Sequence, residues 1–195
     1  MKTIIYTTLL GILSLGCDRA TNVDVPSDNT LPPITQSGAN TFGCKLNSVV
    51  FIPTKAIGST VVEKPIHFYG YYIDTPNHSN KISALRQTNL KNLLNVEIYM
   101  YKFSVIGVGD YIFDNAYYFD DNNQPFNSYL RCIAKSPATG EWKTYGSFNN
   151  SGKVTISRFD LNGCSGTFYG KLKEQNGNEE IEITDGRFDF NYKTL

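Results

Sequence analysis

Charge of one sign is what this chain most plainly lacks. Lys and Arg total 18, Asp and Glu total 18, and charged residues make up 18% of the sequence. With no surplus of either sign there is no field to draw a polyanion, which argues against a nucleic-acid partner. Histidine is scarcer still, at two residues, His67 and His78, and none of the four cysteines forms a C-x-x-C pair. A zinc centre therefore lacks both its ligands and their spacing, and no metal or other cofactor is expected. Neither histidine accompanies a G-x-S-x-G elbow, so a Ser-His-Asp arrangement has no foothold. His67, in PIHFYG, reads as a packed or surface strand residue, and His78, in PNHSN, as a loop residue. No period of the length that builds solenoids recurs.

Aromatic residues, by contrast, reach 13%, with 13 Tyr and 12 Phe, alongside 16 Gly. Tyr, Phe, Val, Ile and Thr favour strands, and Gly, Asn and Asp favour turns, so the composition is β-rich. Alternation supports this along the chain. Phe42, Cys44 and Leu46 share one face before an Asn47-Ser48 turn. Strands follow at Pro65–Asp74, with Thr75–Asn80 as a loop, and at VEIYMYKF, YIF, AYYF, SYLRCIAK and Trp142–Tyr145. Residues 81–94 fit a strand or a loose helix; the strand is preferred. GKVTISRFD and CSGTFYGKLK form a hairpin, in which Cys164, Gly166, Phe168, Gly170 and Leu172 face one way. In the last strand Ile181 and Ile183 are odd-numbered while Phe188, Phe190 and Tyr192 are even. One inserted residue restores a single apolar face, and Asp185-Gly186 is the place for that bulge. Arg187 and Asp189 should then point away from the core. The sum is one all-β domain over 42–195, of eight to ten antiparallel strands with short turns. With helices scarce, it should form a sandwich or partly closed barrel.

The amino-terminal border differs from all of this. After Met1-Lys2, residues Ile4 to Leu15 are apolar or small. As a helix they would cover roughly 18 Å of a hydrocarbon core about 30 Å thick, too little to span but enough for a signal peptide over 1–16. The run ends at Leu13-Ser14-Leu15-Gly16-Cys17, which resembles a bacterial lipobox, with Ser14 where leucine is commoner. The resemblance implies cleavage between Gly16 and Cys17 and acylation of Cys17. Two or more acyl chains, at about 0.8 kcal/mol per buried CH₂, give a stable anchor. The polar, Pro-bearing stretch 17–41 then reads as a lipidated, disordered tether. Asp18 follows the acylated position, a residue that holds some lipoproteins at the inner membrane; the outer membrane is nonetheless the expected location. Export would permit one disulfide among Cys44, Cys132 and Cys164, leaving one thiol over. Equally, all three could be small buried apolar residues.

LPPITQSGANTFGCKLNSVVFIP, then GKVTISRFD with SGTF, then ITDGRFD occur in this order. Together they resemble a family of cell-envelope lipoproteins of Bacteroidetes-type bacteria, a domain of unknown function. The likeness covers roughly Leu31 to Tyr192 and is strongest at the two ends. It departs at Ser48, where the family tends to have Gly. It implies an envelope location and a β-rich domain, and carries over no catalytic residue.

Few constellations suggest chemistry. Glu179-Glu180 and Asp120-Asp121 point apart if extended, which suits solvated turn charges better than paired catalytic carboxylates. DDNNQ carries oxygens for calcium but not the spacing of a known loop. Asp185, Arg187 and Asp189 could form a polar recognition patch, or Arg187 could brace the bulge against a carboxylate such as Asp160. Tyr69, Tyr71, Tyr99 and Tyr101 could line up as an aromatic platform for a sugar or peptide, or fill a second packing layer. The leading expectation is a membrane-anchored, non-enzymatic binding or structural module, with another envelope protein or a glycan as partner. A glycan-binding accessory protein of polysaccharide uptake is the first alternative and an envelope hydrolase the second.

Overall fold

The computed structural model describes residues 30–54, 64–74, 77–89, 92–118 and 126–195, without the side chains of 71–74, 77, 78, 88, 89 and 92. The strands are β1 (Thr41–Leu46), β2 (Val49–Phe51), β3 (Ile66–Asp74), β4 (Asn77–Asn89), β5 (Asn92–Met100), β6 (Gly109–Ile112), β7 (Tyr129–Lys135), β8 (Trp142–Gly146), β9 (Gly152–Phe159), β10 (Gly163–Glu174) and β11 (Glu180–Asn191). One four-residue helix, α1 (Phe103–Ile106), lies between β5 and β6. The chain is all-β: among the described residues, eleven strands lie in one antiparallel sheet, nine of them in the order β2-β1-β11-β10-β8-β7-β5-β4-β3. The sheet forks at β10. Cys164 to Gly170 pairs with β9, which carries β6 on its far edge, while Lys173 and Glu174 pair with β8.

Segments differ from expectation where short-range signals were weak. Residues 81–89 and 92–94 are strand, as preferred, in β4 and β5, but β4 begins at Asn77, inside the loop expected over Thr75–Asn80. VEIYMYKF stops at Met100, because Lys102 turns left-handed (φ 54) and starts α1. AYYF is not a strand over 116–118. It runs across the fork instead, with Ala116 donating to the Ser147 carbonyl at 2.9 Å.

The parity break in the last strand has its cause in register. Phe168 lies opposite Gly186 but Gly170 lies opposite Ile183, so β11 carries one residue more than β10. Asp185 takes the left-handed turn, at φ 51, a conformation Asp tolerates better than most residues. Gly186 serves sterically: a Cβ there would meet the Phe168 carbonyl oxygen at 2.5 Å and its ring at 2.6 Å. Ile181, Ile183, Phe188 and Phe190 consequently all enter the core.

The sheet curls around that core without closing into a barrel. Phe68 of β3 reaches across to stack on Tyr192 (5.0 Å between centroids) and to meet Phe190 and Phe103 edge-on. On the other side, one parallel bridge joins Thr54, beyond β2, to Arg86 of β4. Arg86 donates to the Ile52 carbonyl at 2.9 Å and lies 5.1 Å over the Phe51 ring. Burying each large aromatic contributes about 2–3 kcal/mol, and Phe42, Phe168, Phe188 and Phe190 form one contiguous run. Cys44, Cys132 and Cys164 are all free and buried in this core, which decides between the disulfide and apolar alternatives.

Candidate functional site

Residues opposite one another on paired strands share a face, so register assigns the outer surface. Across β3, β4, β5 and β7, one row runs Tyr69, Lys81, Tyr99, Tyr129, and the next His67, Ser83, Glu97, Arg131. Of the two arrangements open to the tyrosines, Tyr69, Tyr99 and Tyr101 do not line up as one exposed row. β4 separates β3 from β5, so Lys81 stands between Tyr69 and Tyr99. Tyr99 is 1% exposed and stacked on Tyr129, with centroids 5.1 Å apart. Tyr101 lies past the end of β5 and meets Phe126 edge-on. Tyr69 is 42% exposed and stacks on His67 at 5.4 Å, with the Lys81 ammonium 5.6 Å from its ring. The side chains of Tyr71 and His78 lie outside the described residues.

At the centre of this face is Glu97, buried despite its charge. Arg131 Nε donates to it at 2.6 Å, and Lys81 Nζ lies 3.6 Å away. Arg131 also donates to the Tyr117 carbonyl, which ties the fork-crossing segment down over Gly146. Gly146 has no Cβ because Ala116 and the Tyr118 hydroxyl occupy that space. Two open grooves flank the face. One, of about 330 Å³, is lined by Ile66, His67, Phe68, Tyr69 and Tyr192. The other, of about 300 Å³, lies beside Ile133, Trp142 and Glu174.

Glu179 accepts from Ser136 Oγ (2.9 Å), the Ala138 amide (3.1 Å), Lys143 (3.1 Å) and the Tyr145 hydroxyl (3.0 Å). The Ser136 hydrogen bond leads in holding its carboxyl down at about 2, against the opposing effect of burial. Saturated and firmly ionised, it is unsuited to donate a proton. Its neighbour Glu180 is exposed.

The bulge region departs from expectation twice. Asp189 faces away from the core side of β11, yet it is 1% exposed. Thr35 Oγ1 (2.7 Å), Ser165 Oγ (2.6 Å) and the amides of Ser37 and Gly38 (2.9 Å each) and Ala39 (3.1 Å) converge on its carboxylate. Burial alone would raise this carboxyl; the Ser165 and Thr35 hydroxyls and the backbone amides outweigh it and hold it far below the usual range. Thr35–Asn40, expected within the tether, is therefore fastened to the domain. Nor does Arg187 brace Asp160. It donates to the Asp185 carbonyl (3.0 Å) and the Pro32 carbonyl (3.4 Å), Asp185 pairs with Lys45 (2.8 Å), and Asp160 pairs with Arg158 (2.7 Å). Gly16, Cys17 and the Asp120–Gln124 stretch lie outside the described residues.

No family model, curated protein or solved structure matches this chain.

Among the described residues, no three His, Cys, Asp or Glu side chains gather as a metal site. Burial raises the thiols of Cys44 and Cys164 to about 12 and that of Cys132 well above the ordinary value, so they stay protonated and unreactive. Nothing local in the sequence foretells the burial of Glu97, and Asp189, a candidate for an outward patch, proves to be covered. Glu97 sat in a plain alternating strand, with nothing to mark its cations. Asp189 did carry a signal, as an acid between two phenylalanines on a strand, and TQSGA supplied small residues able to wrap a carboxylate.

Proposed function

We propose that this chain is a lipid-anchored cell-envelope lipoprotein whose β domain serves as a non-catalytic binding or structural module. One observation carries it: an apolar run of signal-peptide length that ends at Gly16-Cys17 and gives way to a polar stretch. The family resemblance over Leu31 to Tyr192 points the same way. The Asp189 clamp supports a load-transmitting role. It ties the segment after the tether to β11, which lies between β1 and β10, so tension from an anchor would enter the sheet at an interior strand. The domain would face away from the cytoplasm, on the outer rather than the inner membrane, with another envelope protein or a glycan as partner.

Mass spectrometry of the Cys17 peptide from native membranes tests this. The expected result is a thioether-linked diacylglyceryl group, and Cys17→Ser should move the chain to the soluble fraction. A bare Cys17, or an uncut leader, would overturn the reading.

A second reading rests on the half-exposed Tyr69, stacked on His67 at the rim of the 330 Å³ groove. A pyranose ring could lie on such a pair, which would make the protein a glycan-binding accessory of polysaccharide uptake. Affinity electrophoresis in polysaccharide gels should then show retardation that Tyr69→Ala abolishes; unretarded migration in every gel tried would dismiss it.

A further inference from the structure

Five apolar side chains crowd one end of the molecule. Leu161, at the tip of the β9–β10 hairpin, is 96% exposed, and Val105, Ile106 and Val108 on α1 and its following loop are about half exposed or more. Phe159 joins the two groups: its ring packs on Phe103 at 4.5 Å, and a Cβ on Gly107 would come within 3.3 Å of it. Phe159 thus links α1 and its loop to the hairpin, and Leu161 projects into solvent two residues beyond it. The acid within the hairpin does not oppose an apolar partner. Asp160 is neutralised by Arg158 and accepts from the amides of Asn162 (2.7 Å) and Gly163 (3.0 Å).

The chain leading to Cys17 joins the domain close by. Arg158, next to Phe159, donates to the Gln36 carbonyl at 2.8 Å, and Asp189 clamps Thr35 to Ala39 beside it. From Gln36 the lead runs back to Pro32, against Gly43 and Arg187. The route from Pro32 over Gln36 and Arg158 to Leu161 is at most roughly 35 Å. Residues 17–30, fully extended, reach about 45 Å. A lead of that length from an acyl anchor at Cys17 lets this end of the domain touch the bilayer.

We infer that the patch formed by Val105, Ile106, Val108, Phe159 and Leu161 seats on the surface of the lipid bilayer that anchors Cys17, giving the domain a second contact and a fixed orientation. This rests on the lipoprotein reading for its anchor. A bilayer is the one apolar partner that such an anchor always keeps within reach. Small apolar side chains at a loop tip, without an unpaired acid, suit the boundary between headgroups and acyl chains.

The test uses the full chain carrying Trp142→Phe with Leu161→Trp, so that the tip holds the one indole. The chain is placed on vesicles of phosphatidylethanolamine and phosphatidylglycerol, with or without brominated acyl chains. Bromine should lower the Leu161→Trp emission by at least about twofold. The parent chain reports from Trp142 on β8, which pairs with the Glu174 end of β10 while Leu161 precedes the Gly163 end, and should change little. Emission from the Leu161→Trp chain that is indifferent to bromine while the protein stays on the vesicles overturns the tip contact and leaves the anchor intact. A parent chain quenched equally also overturns it, since the domain would then lie without preferred orientation. If mass spectrometry shows Cys17 unmodified, the lipoprotein reading fails on its own. The tip is then still tested after coupling the Cys17 thiol to a maleimide-bearing lipid, because the other three cysteines are buried. The same presence or absence of quenching decides.

Discussion

Asp189 shows how one side chain can set both stability and its pH dependence. Its buried carboxylate accepts from three backbone amides and three hydroxyls, and its loss would leave the buried Ser165 hydroxyl without that acceptor. Asp189→Ala should cost about 2–4 kcal/mol, read as a drop in the urea midpoint, with Thr35–Asn40 becoming sensitive to protease. Because its folded pKa lies below the unfolded value, the contribution is full above about pH 4 and lost as pH falls through the depressed value. Glu179, held at about 2, behaves alike, its contribution fading from about pH 4.5 downwards. The cysteines run the other way. Their raised thiols favour the folded state below about pH 9, and that contribution is lost as pH climbs towards 12. Stability against pH should therefore fall on both flanks. Asp189→Asn should flatten the acid flank; an unchanged acid flank in that variant would count against the clamp. The inward face of β10 was legible because alternation is local. The cover over Asp189 was not, since Ala39 and Asp189 are 150 residues apart in sequence.

Among the elements, β11 and the first hairpin are the most sharply specified. At Gly186 an added methyl meets a carbonyl and a ring that β10 holds in place, so Gly186→Ala should cost about 1–3 kcal/mol in chemical unfolding. The hairpin between β1 and β2 turns on Asn47 (φ 45) and Ser48 (φ 68), both left-handed, a geometry that favours Asn-Gly. Ser48→Gly should raise stability by up to about 1 kcal/mol, since a left-handed L-residue costs about that much; no gain would mean that the entropy of glycine offsets the relief. The bulge was readable at this scale because a change of parity within a strand permits few solutions. β4 was less so. Ile82, Leu85, Leu90 and Leu93 fit a helix loosely while Lys81–Gln87 fits a strand as well, and what makes 77–89 a strand is pairing with β3 on one edge and β5 on the other.

For the molecule as a whole, the curl of the sheet is the decisive feature. A single sheet with one core should unfold in one cooperative transition by heat or urea. Phe68→Ala removes the contact that brings β3 over β11 and should lower that transition by about 2–3 kcal/mol. Two separated transitions in calorimetry would show that β3–β5 and β9–β11 hold separate cores. The sequence by itself determined the all-β class, the inward face of most strands, the inserted residue in β11, and the apolar border ending at Cys17. Each is written in a window of about ten residues, through period-two alternation or a change in composition. Only the tertiary structure decided the strand order, the free state of the three cysteines, the burial of Tyr99, Glu97 and Asp189, and the packing of Phe159 on Phe103. The reason is physical: alternation assigns a side chain to a face, but whether that face is open or covered depends on segments that reach it from far along the chain.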